Sequence, residues 1–136
     1  MAAQFNVTTR NAILDQIETT NGASCSMRIY SGAPPADCAA ANTGTLLADW
    51  NLPADWMAAA GSGTKAKAGT WQDTSADGTG TPGHFRMYNS QATKDGTTCY
   101  HQGTCAVGSG DINFDGTVTA GQQVTVDTFV WTAAGA

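Results

Sequence analysis

A chain of 136 residues carrying a formal charge of −5, with 12% of its residues charged and 41% hydrophobic, is sized for one domain and too apolar for a disordered tail. Its three Lys and three Arg are scattered singly, so no basic patch neutralises phosphates and a nucleic-acid partner is disfavoured. No run approaches the roughly 20 apolar residues that cross a bilayer, and MAAQFNVTTR lacks the basic and apolar regions of a secretory signal, which predicts folding in a cytoplasm with no membrane partner.

Residues 1–7 read as an N-terminal arm. TTRNAILDQIETT (8–20) reads as a helix: Thr8 or Thr9 can cap it, Ile13, Leu14 and Ile17 form a narrow apolar stripe, and Asn21-Gly22 stops it. From there to residue 133 the period switches to two, and Gly- and Thr-rich turns separate short strands. SMRIY (26–30) sets Met27 and Ile29 against Arg28 and Tyr30. TLLADWNL (45–52) sets Leu46, Ala48, Trp50 and Leu52 inward, with Asp49 and Asn51 outward. KAKAGTW (65–71) places Ala66 and Ala68 opposite Lys65 and Lys67, and HFRMY (84–88) points Phe85 and Met87 inside. TTCYHQ (97–102), DINF (111–114) and QQVTVDTFVWTA (122–133) complete seven or eight strands. The expectation is one all-β domain over 1–136, a β-sandwich across 26–133 behind an N-terminal helix. MRIYS (27–31) and FRMYN (85–89) echo one another, either as strands of similar exposure or as equivalent strands in two facing sheets.

Four cysteines, Cys25, Cys38, Cys99 and Cys105, can pair in three ways. Pairs Cys25–Cys38 and Cys99–Cys105 would each clip a short loop. Free thiols and a metal site are the other readings, although the spacing matches no zinc ribbon and His84 and His101 complete no finger.

DINFDGT (111–117) places Asp111, Asn113, Asp115 and Gly116 at the first, third, fifth and sixth positions of a calcium loop. The twelfth position is neutral Gln122, the ninth is Thr119, and the β-branched alternation that follows predicts a strand where a calcium loop needs a helix. The motif reads as a decoy, with DG a turn. No catalytic motif is present, Asp73, Asp77, Asp95, Asp111 and Asp115 sit in turn-like sequence, and no cofactor is implied. Cys99 and His101 share a face if their strand alternates regularly, without an orienting third group. Trp56, Trp71 and Trp131 fit either ordinary burial or an exposed platform for sugars or an interface.

Taken in order, TTRNAILDQIETT, MRIYSGAPPADC, TLLADWNLPADWMAAA, KAKAGTW, GHFRMYNS, TTCYHQGT and VTVDTFVWTAAGA resemble a family of small tailed-bacteriophage virion proteins of the head decoration, or capsid cement, type. The resemblance spans nearly the whole chain and rests on structural patterns. It implies a jelly-roll or related β-sandwich and a non-enzymatic role in the virion. The implied partners are a major capsid protein and further copies of the chain, as homodimer or homotrimer, with assembly in the host cytoplasm. A carbohydrate-binding or adhesion module and a tail-associated virion component are the alternatives.

Overall fold

Capping chemistry sets the ends of the helix. In the computed structural model, which describes residues 3–135, α1 spans Val7–Asn21. Asn6 is the N-cap: its side chain accepts from the Thr9 N–H at 2.9 Å, the bond that an Ncap amide is placed to make. Gly22, at φ 76°, closes the other end by donating to the Glu18 carbonyl. The stripe is weaker than its sequence suggests. Leu14 is buried, Ile17 is half-buried, and Ile13 is 45% exposed.

Polar contacts also dock the helix. Lys65, 2% exposed, reaches Asp15 at 2.7 Å and Glu18 at 2.9 Å, carboxylates one turn apart on the same helix face. Burial works against the Lys65 ammonium, yet its hydrogen bonds to Asp15 and Glu18 hold it above the usual lysine range. The Lys65 hydrogen bond in turn holds Asp15 below its usual value. The Ala60 N–H donates to Asp15 and the Gly63 N–H to Asn11.

Nine strands follow among the described residues: β1 Ser26–Ser31, β2 Leu46–Asn51, β3 Thr64–Ala66, β4 Gln72–Asp73, β5 Pro82–Tyr88, β6 Cys99–Val107, β7 Ile112–Phe114, β8 Val124–Thr125 and β9 Val130–Thr132. The protein is therefore mostly β with one helix. Five strands make one mixed sheet in the order β2-β1-β5-β6-β7, while β3-β9 and β4-β8 are two-stranded ribbons. The strand expected over 122–133 is broken into β8 and β9.

The echo between MRIYS and FRMYN has a direct cause. These segments are β1 and β5, antiparallel neighbours in one sheet, with Met27 opposite Met87, Arg28 opposite Arg86 and Ile29 opposite Phe85. They are not equivalent strands of facing sheets. One side of the sheet carries Met27, Ile29, Ala48, Trp50, Phe85 and Met87 into a core completed by Trp56, Trp71, Val118, Val124, Val126 and Phe129. The other carries Arg28, Tyr30, Arg86 and Tyr88.

Two bulges change what strict alternation predicts. Between Ile29 and Tyr30 the pairing with β2 slips, so that Tyr30 meets Leu46 and Leu47 is the extra residue. Leu47 and Ala48 are both fully buried, whereas Leu46, expected inward, is half-buried beside Tyr30. A bulge adds one residue to one strand and re-aims its neighbours. The second slip, between Met87 and Tyr88, sets His101 opposite Met87 and Cys99 opposite Tyr88. Cys99 and His101 consequently face opposite sides. The expected alternation in KAKAGTW is also inverted: Lys65 points in and Ala66 out, because the two helix carboxylates give the ammonium a partner inside.

Strand β7 runs parallel to β6 after a link of only Gly108–Asp111. Parallel neighbours ordinarily need a crossover of a dozen residues or more. Here Gly108 and Gly110 take φ of 79° and 87°, left-handed geometry that glycine adopts without steric penalty. The chain thereby doubles back in a few residues.

Candidate functional site

The DINFDGT segment forms β7 and the turn after it. Oδ2 of Asp111 accepts from the Thr104 N–H at 2.8 Å and the Thr104 hydroxyl at 2.9 Å. This carboxylate pins the tight return between β6 and β7. Asn113 and Asp115 are exposed. After Gly116 the chain proceeds to β8 without a helix, and Gln122 accepts from the Thr119 N–H at 2.7 Å. No group of three or more His, Cys, Asp or Glu side chains placed to hold a metal ion occurs among the described residues.

This segment lines one wall of a cleft of about 480 Å³, with Gln122–Thr128 on the opposite wall. Strand β7 ends the main sheet and β8 is half of a two-stranded ribbon. Each contributes an edge that its own sheet leaves without a neighbouring strand. Such edges are the usual places for another chain to pair.

The tryptophans separate into two groups. Trp56 and Trp71 are fully buried, and their indole N–H groups donate to the Gly22 and Ala68 carbonyls at 2.9 and 3.1 Å. The expectation of an exposed platform or interface is therefore corrected for both. Their large apolar surface is worth more in the core, where the indole N–H also finds a partner. Trp131 is half-buried and packs edge-on against Trp56 at 5.7 Å between ring centres. With Ile13, Ile17, Tyr100 and His101 it lines a shallow groove of about 300 Å³. The Trp131 indole lies 3.2 Å from His101 Nε2, so that nitrogen accepts and the ring proton is on Nδ1. Burial lowers the His101 pKa, and a nearby Asp111 charge opposes this.

The polar side of the sheet is roofed by the loops before β2 and before β6. Arg86 is fully buried. It donates to the Cys38 carbonyl at 2.6 Å, the Ala40 carbonyl at 3.0 Å and Asn42 Oδ1 at 2.7 Å. Tyr88 donates to the same Asn42 oxygen at 2.8 Å and shares a 3.1 Å hydrogen bond with Tyr30. Burial, then the Tyr30 hydroxyl, raises the Tyr88 pKa. Beside them Arg28 meets Asp49 at 2.8 Å, and Lys94 pairs with the other oxygen of that carboxylate. His84 stacks on Tyr30, its Nδ1 2.9 Å from the Gly32 carbonyl. Its pKa is lowered, chiefly by burial.

All four cysteines are free thiols, and neither expected pairing is possible. Cys99 and Cys105 lie six positions apart on β6, hence about 20 Å apart, where a disulfide needs Cα atoms within roughly 7 Å. Cys25 belongs to the apolar core, whereas Cys38 lies over the Arg86 side. The sheet separates them. Comparison with family models, curated proteins and solved structures finds no match.

Alternation along the sequence sets Arg86 opposite the inward Phe85 and Met87, and Lys65 opposite Ala66, which marks neither charge as buried. For Arg86 a signal existed: it sits in FRMY between inward-facing Phe85 and Met87, in the segment that echoes MRIY. Two such strands side by side bury their centres from both sides. Lys65 gave no comparable sign, since its partners lie some fifty residues away in α1.

Proposed function

We propose that this protein is a viral structural protein of the capsid decoration, or cement, type. It binds the outer surface of a phage head and bridges major capsid subunits, with further copies of itself as homodimer or homotrimer. Its place is the virion, reached by assembly in the host cytoplasm, and its role needs no catalysis or cofactor. The five-stranded sheet and the ribbons over its apolar side are read as a β-sandwich of jelly-roll-like kind.

One observation carries the reading, beside the sequence-long resemblance: side chains suited to small ligands are turned inward while strand edges face out. Trp56, Trp71, His84 and Arg86 are fully buried. The surface presents the edges of β7 and β8 at the cleft, and large apolar side chains such as Phe5, Val7, Val107 and Val130. A charge-poor surface with free edges suits docking over area, where repeated copies supply avidity. The test is rebinding of purified protein to capsids stripped of their decoration. Saturation at a fixed number of copies per capsid is expected, and failure to co-sediment with capsids overturns the reading.

The groove at Trp131 favours a carbohydrate-binding or adhesion module as the second reading, since an aromatic face beside polar groups suits a sugar ring. Glycan-array binding lost in Trp131→Ala would establish it. Tail attachment, the other alternative, is separated from head attachment by electron microscopy of labelled virions.

A further inference from the structure

The bulge in β6 turns Cys99 to the polar side of the sheet, opposite Tyr88. The loop between β1 and β2 is fastened across that side at several points. Gln102 donates to the Pro35 carbonyl at 2.8 Å, and Arg86 holds the Cys38 and Ala40 carbonyls. Cys38 is thereby held over the same polar face as Cys99, close enough that, on top of burial, Cys99 raises the Cys38 pKa. Both are half-buried. We propose that Cys38 and Cys99 are a disulfide-forming pair that closes in an oxidising medium and locks the β1–β2 loop onto the sheet.

The other pairings are excluded by position. Cys105 lies at the far end of β6, about 20 Å from Cys99. Cys25 precedes β1, which β5 separates from β6, and it faces the core beside Tyr100.

The oxidant is a small-molecule disulfide such as oxidised glutathione. One thiol of the pair, having lost its proton to solvent, attacks a glutathione sulfur. The glutathione disulfide breaks, a mixed disulfide forms, and one glutathione thiolate leaves. The second protein thiolate attacks the protein sulfur of that mixed disulfide, closing the Cys38–Cys99 bond and releasing the second glutathione thiolate. Two thiols are oxidised and one disulfide is reduced. Burial, then the adjoining Cys99, pushes the Cys38 thiol up to about 11. Exchange through it is accordingly slow at neutral pH, so the reduced pair outlasts a brief exposure.

The bond would close a loop of some sixty residues, and the restriction that a cross-link places on the unfolded chain grows with loop length. The inference stands whether or not the protein decorates a capsid.

The experiment incubates the folded wild-type chain with oxidised glutathione, quenches in acid, blocks free thiols and maps the peptides by mass. A Cys38 peptide linked to a Cys99 peptide is expected, with Cys25 and Cys105 blocked as free thiols. The oxidised protein should melt about 10 °C higher, a gain absent from Cys38→Ser and Cys99→Ser and retained in Cys25→Ser. The mapping needs no variant, so misfolding of a serine variant does not obscure the answer. Linkage of any other pair, or both thiols remaining free after prolonged oxidation, overturns the proposal.

Discussion

The two sides of the five-stranded sheet solve the same burial problem by different chemistry. One is closed by hydrocarbon: Met27, Ile29, Phe85 and Met87 lie beneath Trp56, Trp71 and Phe129. The other is closed by loops laid over Arg86, Tyr30, Tyr88 and the Arg28–Asp49–Lys94 cluster. Hydrocarbon burial is non-directional and tolerates small shifts. A buried guanidinium is stabilised only while each of its acceptors stays in place. The apolar side thus supplies stability, and the polar side fixes where the loops lie.

The largest effect should come from the apolar side. Phe85→Ala removes a fully buried ring at the centre of the sheet and should lower stability by about 4 kcal/mol, read as an earlier urea midpoint. Next, Arg86→Met keeps much of the volume but leaves the Cys38 and Ala40 carbonyls and Asn42 without their donor. A loss of about 2 kcal/mol is expected, with faster proteolysis in 32–45. If Arg86→Met were neutral, the loop would be held by packing and the contrast between the sides would fail.

The smallest effect uses the histidines, one on each side. His84 and His101 are both held below the usual imidazole range, chiefly by burial. An unfolded chain takes up these protons near pH 6.5 while the folded one resists. Each histidine therefore costs no stability above that pH and destabilises the fold as pH falls below it. Protonating His101 would also remove the lone pair that accepts from Trp131. Stability measured from pH 7.5 to 5 should decline, and His84→Gln and His101→Gln should each flatten part of the slope. An unchanged slope in His101→Gln would mean that the apolar side admits the charge.

These contrasts also explain what the sequence discloses. The alternation in SMRIY, HFRMY and DINF is a local property, and the inward positions of Met27, Ile29, Phe85 and Met87 follow from it. The helix stop at Gly22 is equally local. The bulges at Leu47 and Tyr100 are not, because the slip is defined against a partner strand elsewhere in the chain. Those slips reversed the reading of Leu46 and of Cys99 relative to His101. Trp56 and Trp71 were ambiguous for a related reason: Trp56 lies outside any regular strand, and the strand expected over KAKAGTW ends at Ala66, short of Trp71. The inward Lys65 could be found only by knowing that Asp15 and Glu18 come to rest beside it.

The pairing pattern bears on how the protein is made. Ser26 meets Tyr88 and Lys65 meets Trp131 across roughly sixty residues of chain, so ribbon β3-β9 cannot close until β9, made long after β3, has left the ribosome. Such distant partners set folding on the slow scale of milliseconds to seconds. A nascent chain shortened by even the final strand would leave Trp56 and Lys65 without their cover, and would present quality-control proteases with an unfinished product.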